Sequence, residues 1–316
     1  MTDPDLRKLR VLRELSERGT VSAAARALHL TPQAVSQQIS ALGRELGVPL
    51  TEPSGRRLRL TAAARIVLRH ADVVFTQVEQ LRAELAAHRG GERGEVAIAG
   101  FSTTLSALIL PAVARLRETR PLLRTSLAEV DPPESFSLLH RGEADVVISA
   151  DTARALDTAR APGTAAQDGR PDGRFHRVPL CDDPFDIALP EGHRLLDGER
   201  LVLADLADET WIFATTGLCH DIGVAACTAA GFTPQASHAI GDWDATLAAV
   251  RLGLGVALVP RLAKPAPRPE VTIRAFSELA PSRTVFAAVR EGSQTSPEIA
   301  AVLDALRTAA TAAVAG

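Results

Sequence analysis

The sequence predicts a mixed α/β protein in three parts: a small helical domain with a strand pair, a single long helix, and a two-lobed α/β domain. Three observations support this division. Short amphipathic helices separated by turn residues occupy positions 1–50, a stretch without Gly or Pro extends from Thr61 to His88, and strand and helix patterns alternate from Glu95 onward. A chain of 316 residues is also too long for one ordinary domain.

The N-terminal part of the chain is basic and the remainder is acidic. Residues 1–93 carry 15 Lys and Arg against 10 Asp and Glu, a net charge of +5, and the other residues carry 20 against 28, a net charge of −8. This asymmetry favours phosphate contact near the N-terminus. The Arg content by itself also fits a composition that is rich in Ala and Arg.

Composition argues against a membrane-spanning, secreted, disulfide-stabilised or metal-binding protein. No apolar run reaches the roughly 18 residues of a membrane span, and residues 1–10 lack the apolar centre of a secretory signal. Cys181, Cys219 and Cys227 form no C-x-x-C pair, so neither a disulfide framework nor a metal site is predicted. We therefore expect a cytoplasmic protein that does not bind a membrane.

Three short helices are expected in the first domain. Leu6–Glu17 repeats leucine every three residues and is stopped by Gly19. Ala23–Leu28 is rich in alanines that allow close helix approach, and Thr31–Leu46 begins with a Thr-Pro helix start and ends before Gly47. Three helices with short connections predict a helix-turn-helix.

A hairpin and a long helix follow. After a turn at Pro53–Gly55, apolar and basic residues alternate over Arg56–Leu60, as in a strand with one face on the core. The helix from Thr61 to His88 would span about 42 Å. It carries a heptad-like seam that predicts packing against a second copy, with packing inside the monomer as the alternative. The seam residues are Val74, Val78, Leu81 and Leu85.

From Glu95 the alternation of strand and helix is typical of parallel βαβ units. The first series comprises strands Glu95–Ala99, Leu123–Glu129 and Ala144–Ser149 and helices Thr104–Glu118 and Pro133–His140. The second comprises strands Phe185–Leu189, Trp211–Ala214 and Gly255–Val259 and helices Asp221–Ala230 and Asp242–Gly253, before a last strand, Thr284–Val289, and a last helix, Pro297–Ala313. Residues 151–173 and Pro260–Pro269 are expected to connect two lobes around a ligand cleft.

One segment carries a specific motif. It reads Ala24-Ala25, Leu28, Thr31-Pro32-Gln33-Ala34-Val35-Ser36-Gln37-Gln38-Ile39, Leu42, Leu46-Gly47 and Leu50. This pattern closely resembles the DNA-binding domain of LysR-type transcriptional regulators over residues 1–90. Beyond it, the resemblance rests on lobe order and on local matches such as Gly253-Leu254-Gly255-Val256.

The resemblance implies a winged helix-turn-helix in residues 1–60, a linker and dimerisation helix in 61–89, and a two-lobed effector domain like that of periplasmic binding proteins. Its first lobe would contain 90–165 and 270–316, and its second lobe 166–269. The implied partners are double-stranded promoter DNA, a small-molecule effector, and further copies in a homodimer or homotetramer. No cofactor and no catalytic residue are implied.

Helical spacing divides the motif between core and surface. Val35, Ile39, Leu42 and Leu46 share one face and are expected in the core. Side chains of the opposite face can read base edges, and the helix N-terminus offers N–H groups to phosphate. The candidate DNA-binding residues are Thr31, Pro32, Gln33, Ser36, Gln37 and Ser40 of the helix and Arg56, Arg57 and Arg59 of the wing.

Alternatives remain for several of these residues. The polar face could simply be solvated, Arg59 could pair with a carboxylate, and Gln38 is expected to support helix packing. The motif also departs from the family pattern at Gly43, where Glu is usual, at Thr51, where Phe is usual, and at Ala62-Ala63-Ala64, where Glu-Ala-Gly is usual. A glycine inside a helix destabilises it by about 1 kcal/mol relative to Ala.

In this family the effector lies between the lobes, at strand ends and helix starts. The candidate effector-binding residues at such positions are Phe101, Ser102, Thr103, Thr104, Ser149, Thr215, Thr216, His220, Asp242 and Trp243. Ser102 or Thr103 could instead cap a helix, Asp242 could bind an amine or cap its helix, and Trp243 could stack on the ligand or belong to the core. Together they predict a small polar effector, which could be zwitterionic.

Other function classes fit less well. The sequence has no G-x-S-x-G, P-loop or H-E-x-x-H motif, and Asp182-Asp183 before Pro184 is interpreted as a turn rather than an acid pair. A solute-binding protein would carry an export signal and no basic helix-turn-helix. A structural DNA-binding protein would leave residues 95–316 without a role.

Overall fold

The computed structural model describes residues 5–54, 57–88, 94–152, 174–278 and 280–315. The chain divides into two compact units, Met1–Leu85 with Glu291–Ser293, and Ala86–Arg290 with Gln294–Gly316. None of the described helices is both long and apolar enough to cross a membrane.

The first unit is built from short helices, a hairpin and a long helix. In chain order they are α1 (Leu6–Arg18), α2 (Val21–Ala27), α3 (Pro32–Leu46), β1 (Thr51–Ser54), β2 (Arg57–Leu60) and α4 (Ala62–His88). The predicted core face of α3 is confirmed at Val35, Ile39 and Leu42, which are buried, while Leu46 is half-buried against the same core. Gly47 ends the helix with a φ of +71°.

The hairpin differs from its prediction in two respects. Pro53 and Ser54, expected in a turn, continue β1, which pairs antiparallel with β2 from Thr51 opposite Leu60 to Ser54 opposite Arg57. Leu58, expected on the core, is 40% exposed, whereas Leu60 packs against the core. Leu60 lies at the base of the hairpin, next to the core, whereas Leu58 lies further along the strand towards its tip.

The second unit contains the α/β elements. They are β3 (Gly94–Gly100), α5 (Ser102–Thr104), α6 (Leu110–Thr119), β4 (Leu123–Glu129), α7 (Glu134–Arg141), β5 (Val146–Thr152), β6 (Phe175–Pro190), β7 (Thr210–Phe213), α8 (Leu218–Ala229), β8 (Gln235–Ala239), α9 (Trp243–Arg251), β9 (Ala257–Pro260), β10 (Val271–Arg274), β11 (Ser282–Arg290) and α10 (Pro297–Ala315). A π-helical turn, Leu105–Ile109, joins α5 to α6. As predicted, β3 pairs in parallel with β4 and β5, and β11 then adds to β5 in antiparallel orientation.

The crossing between the lobes lies inside one strand and not in the expected connectors. Residues 175–184 of β6 pair with β11 in the first lobe, and residues 185–190 pair with β9 and β10 in the second. The chain returns between Arg274 and Ser282, so the expected boundaries at 166 and 270 shift. Within Pro260–Pro269, Leu262 packs against the core of the first lobe. Most of the other connector, 153–173, falls outside the described residues.

Candidate functional sites

The outer face of α3 is polar and exposed above a buried apolar face. Thr31 Oγ1 accepts a hydrogen bond from the N–H of Ala34 at 3.1 Å, and Pro32 occupies the first turn, so the helix start has the geometry that the Thr-Pro pair predicts. Gln38 is half-buried, as expected of a residue that supports packing. The exposed residues are Thr31, Pro32, Gln33, Ser36, Gln37 and Ser40.

Of the three wing arginines, the structure describes the side-chain contacts of Arg59. Arg59 donates to Glu52 Oε1 from Nη2 at 2.6 Å and from Nε at 3.0 Å, because the two residues lie directly opposite each other in the hairpin. The structure therefore shows the carboxylate pairing that the sequence left open. Arg56 and the side chain of Arg57 lie outside the described residues.

In the second unit, two of the predicted effector-binding residues converge on one arginine. Thr103, which is 3% exposed, accepts a hydrogen bond from Arg283 Nη2 at 2.8 Å, and the guanidinium lies 4.7 Å from the ring centroid of Phe101. Thr104 is buried and donates to the carbonyl of Phe101, while Ser102 is exposed. The helix begins at Ser102 and not at Thr104, and its cap position is Phe101, so neither Ser102 nor Thr103 is the N-cap.

The other predicted residues have more local surroundings. Asp242 caps α9 by accepting the N–H of Ala245 at 2.8 Å, and Trp243 packs against the core of the second lobe, so the structural alternatives hold for both. Ser149 is buried within β5, and Thr215 and Thr216 are exposed after β7. His220 Nδ1 lies 3.1 Å from Asp221 Oδ1.

The centre of the site is a cluster that sequence reasoning missed. Arg283 is 1% exposed and donates from Nε to Asp183 Oδ2 at 2.9 Å and from Nη1 to Cys219 Sγ at 3.2 Å. The other Asp183 oxygen, Oδ1, accepts the N–H of Leu262 at 2.9 Å. Asp183 therefore does not lie in a turn, as the sequence suggested, but in the middle of β6. Its partners lie far away in sequence, so no local pattern could reveal them.

Burial controls the titration of this cluster. It raises the pKa of Asp183, against the opposing effects of the Arg283 charge and of the hydrogen bond from Leu262. Burial also raises the pKa of Cys219, and the Asp183 and Asp131 carboxylates add to that rise while Arg283 opposes it. The Cys219 thiol is therefore protonated at neutral pH. The counter-charge for Arg283 is the Asp183 carboxylate, whose Oδ2 lies 2.7 Å from Arg283 Nη2.

The cluster joins segments from both lobes. Thr103 and Arg283 come from α5 and β11 of the first lobe, Cys219 comes from α8 of the second, and Asp183 stands at the crossing in β6. A helix-turn-helix with an exposed polar recognition face, followed in the same chain by two lobes that meet at a polar cluster, defines a DNA-binding regulator with a sensor domain.

Comparison with known proteins agrees with this class. The family model "LysR substrate binding domain" matches residues 89–311, and "Bacterial regulatory helix-turn-helix protein, lysR family" matches residues 6–65. The chain therefore belongs to the LysR family and is a transcriptional regulator rather than an enzyme.

Individual relatives match over nearly the whole chain. The DNA-binding transcriptional dual regulator OxyR of Escherichia coli K12 is 27% identical over 307 residues, which cover 96% of this chain and 95% of that protein. An H2O2-bound cysteine-to-serine mutant of Corynebacterium glutamicum OxyR shares the fold with a TM-score of 0.59 and 24% identity, covering 99% and 95% of the two chains. Full-length CbnR in complex with its target DNA has a TM-score of 0.53 and 22% identity, covering 96% and 99%.

Proposed function

We propose that this regulator binds promoter DNA as a homo-oligomer through the outer face of α3 and responds to a small polar effector held between the lobes of its second unit. The observation that carries the DNA assignment is the row of exposed polar residues on α3 above a buried core. Side chains of this kind on a recognition helix reach base edges in the major groove. Because that DNA is intracellular, we place the protein in the cytoplasm.

Residues 1–60 would form the DNA-binding domain and 61–89 the dimerisation helix. Supporting this division, α4 exposes large apolar side chains along the predicted seam: Val74 is 40%, Leu81 56% and Leu85 46% exposed. Apolar surface repeated at this spacing favours burial against a second helix. Two copies related by a twofold axis would then read two half-sites of a roughly palindromic operator.

The DNA assignment is tested by replacing both Ser36 and Gln37 with Ala. Both residues are exposed, so the fold should persist while affinity for the operator falls towards that for random duplex. An operator selected from random sequence supplies the probe for gel shifts. Ser126→Ala, which alters an exposed serine of β4, is the matched control. If the double substitution left operator affinity unchanged, this face of α3 could not be the surface that contacts the operator bases.

For the effector, the cluster around Thr103 and Arg283 supports a ligand that carries a hydrogen-bonding oxygen. Cys219 sulfur is a weak acceptor for Arg283 Nη1, so an effector oxygen would satisfy that donor better. A thermal-shift screen of amino acids and carboxylic acids tests this, with Thr103→Val expected to abolish the stabilisation by a hit and Thr103→Ser to retain it. If a hit raised the melting temperature of Thr103→Val as much as that of the wild-type protein, the effector pocket would have to lie elsewhere.

A second candidate effector is hydrogen peroxide acting on Cys219. It is supported by the contact between Arg283 and the sulfur and by the H2O2-bound structure of the Corynebacterium relative. In this reaction the sulfur attacks one peroxide oxygen, the O–O bond breaks, water leaves and a sulfenic acid forms. The raised pKa of Cys219 slows that attack, so a reversible effector ranks first. Peroxide treatment followed by mass spectrometry decides: one added oxygen at Cys219, absent in Cys219→Ser and present in Cys227→Ser, would favour peroxide.

A further inference from the structure

The recognition helix ends in an arginine that the motif did not single out. Arg44 is exposed in the last turn of α3, and its guanidinium makes no hydrogen bond or ion pair within the described part of the chain. The adjacent acid, Glu45, pairs instead with Lys8. Arg44 is thus a free positive charge, whereas Arg59 of the wing is neutralised by Glu52.

Arg44 continues the polar face towards the C-terminus of α3. It lies four residues after Ser40, which lies four residues after Ser36, so the three side chains follow one side of the helix. A groove of about 390 Å³ opens beside Arg44, between the end of α3 and the start of β1. Ser40, Arg44 and Val48 are among the residues that line it.

The length of the helix indicates what occupies this groove. The 15 residues of α3 span about 22 Å, which exceeds the roughly 12 Å width of the major groove. A helix that places its first turns on base edges therefore brings its last turn to a flanking sugar-phosphate strand. The free guanidinium and the Ser40 hydroxyl suit a phosphate, and the exposed apolar side chain of Val48, which also lines the groove, suits a deoxyribose.

We propose that the groove between α3 and β1 receives the DNA backbone and that Arg44, with Ser40, holds a phosphate there. This inference rests on the proposed DNA binding and extends it to a contact that is independent of base sequence. The competing explanation is that Arg44 only stabilises the negative end of the helix.

The two explanations differ in the salt dependence of DNA binding. Each phosphate contact contributes about 0.9 to the slope of log affinity against log salt. With a random 30-base-pair duplex and the full-length protein, Arg44→Gln should lower the slope by about 0.9, so its affinity deficit should shrink about 3.5-fold between 50 and 200 mM salt. Arg44→Lys should keep the wild-type slope, and Arg117→Gln, at an exposed arginine of α6, is the matched control.

Each result has a separate meaning. An Arg44→Gln slope equal to wild type, with a lowered melting temperature, would overturn the phosphate contact and leave the helix-end role. If Arg44→Lys lowered the salt slope as much as Arg44→Gln, the phosphate contact would also be overturned, because a phosphate accepts a hydrogen bond from either cation. A wild-type protein that binds no duplex would instead overturn the proposed function as a whole.

Discussion

Arg283 and Asp183 form a fully buried ion pair at the point where β6 passes from one lobe to the other. The two closest atoms, Arg283 Nη2 and Asp183 Oδ2, are 2.7 Å apart, and the side chains are 1% and 0% exposed. The guanidinium lies 4.7 Å from the ring centroid of Phe101 and 5.5 Å from that of Phe185, one ring from each lobe. Because the pair contacts both lobes as well as Thr103 and Cys219, a change in the relative position of the lobes would also change the surroundings of these two residues.

Removing one partner of this pair should destabilise the second unit strongly. Asp183→Ala leaves a buried guanidinium without its counter-charge, and we expect the free energy of unfolding to fall by about 3–5 kcal/mol. The double replacement Asp183→Leu with Arg283→Met should lower the free energy of unfolding by less than the sum of the two single replacements. Denaturant unfolding followed by the fluorescence of Trp211, which is fully buried in this unit, measures each value.

The exposed pair Arg200–Glu278 is the control, since its side chains are 69% and 60% exposed. Glu278→Ala should lower stability by less than about 1 kcal/mol. Equal effects of Glu278→Ala and Asp183→Ala would contradict the importance of burial.

In the wing, Glu52 should weaken DNA binding by competing with phosphate for Arg59. Glu52→Gln removes the competing charge, so affinity for random duplex should rise and the salt slope should steepen by about 0.9. The effect should vanish when Arg59→Gln is added, because no released arginine remains. Fluorescence anisotropy across a salt series measures both quantities. Unchanged affinity in Glu52→Gln would mean that Arg59 faces away from the DNA.

Gly43 should resist replacement although it lies inside a helix. A Cβ there would stand 2.9 Å from the carbonyl oxygen of Val48, which is backbone and cannot swing aside. We expect Gly43→Ala to destabilise the first unit by about 1–3 kcal/mol despite the ~1 kcal/mol that alanine gains in helices. Both tryptophans lie in the second unit, so their fluorescence would not follow unfolding of the first unit. Circular dichroism, which follows the loss of helix, measures this change instead.

The control is Gly198→Ala, where the added Cβ would meet its nearest neighbour at 3.4 Å. That variant should unfold like wild type. A Gly43→Ala protein more stable than wild type would show that the Gly47–Leu50 turn can move away from the helix.

Stability should decline in alkali through the thiols. Burial raises the pKa of Cys181 to about 11 and that of Cys227 to about 12. Because the pKa is raised in the folded state, these thiols support folding fully below their ordinary pKa of about 8.5 and lose that contribution as pH rises above it. The chain has no tyrosine and only two lysines, so few other groups titrate there.

Urea unfolding under reducing conditions between pH 8 and 11 checks this expectation. The free energy of unfolding should fall by up to ~1.4 kcal/mol per pH unit for each thiol that stays protonated in the folded protein and is ionised in the unfolded chain. Cys227→Ala should flatten the decline, and Ser126→Ala should leave it unchanged. Identical slopes in wild type and Cys227→Ala would contradict the assignment.

Local sequence determined the helices of the first unit and the buried face of α3, although it did not predict the extent of the hairpin. Thr31-Pro32, Gly47 and the spacing of Val35, Ile39 and Leu42 act within a few residues of each other, so helix limits and the buried face follow from the sequence itself. The parallel arrangement of β3, β4 and β5 was predictable for the same reason, because alternating strand and helix patterns are local.

Tertiary structure alone decided the partners of the charged residues and the path between the lobes. Arg283 meets Asp183 and Thr103 across 100 and 180 residues of sequence. The guanidinium and the N–H of Leu262 together stabilise the Asp183 carboxylate inside β6. Glu52 neutralises Arg59 because hairpin register places them opposite each other. A sequence pattern records which side chain carries a charge, whereas strand pairing and burial determine which charge it meets.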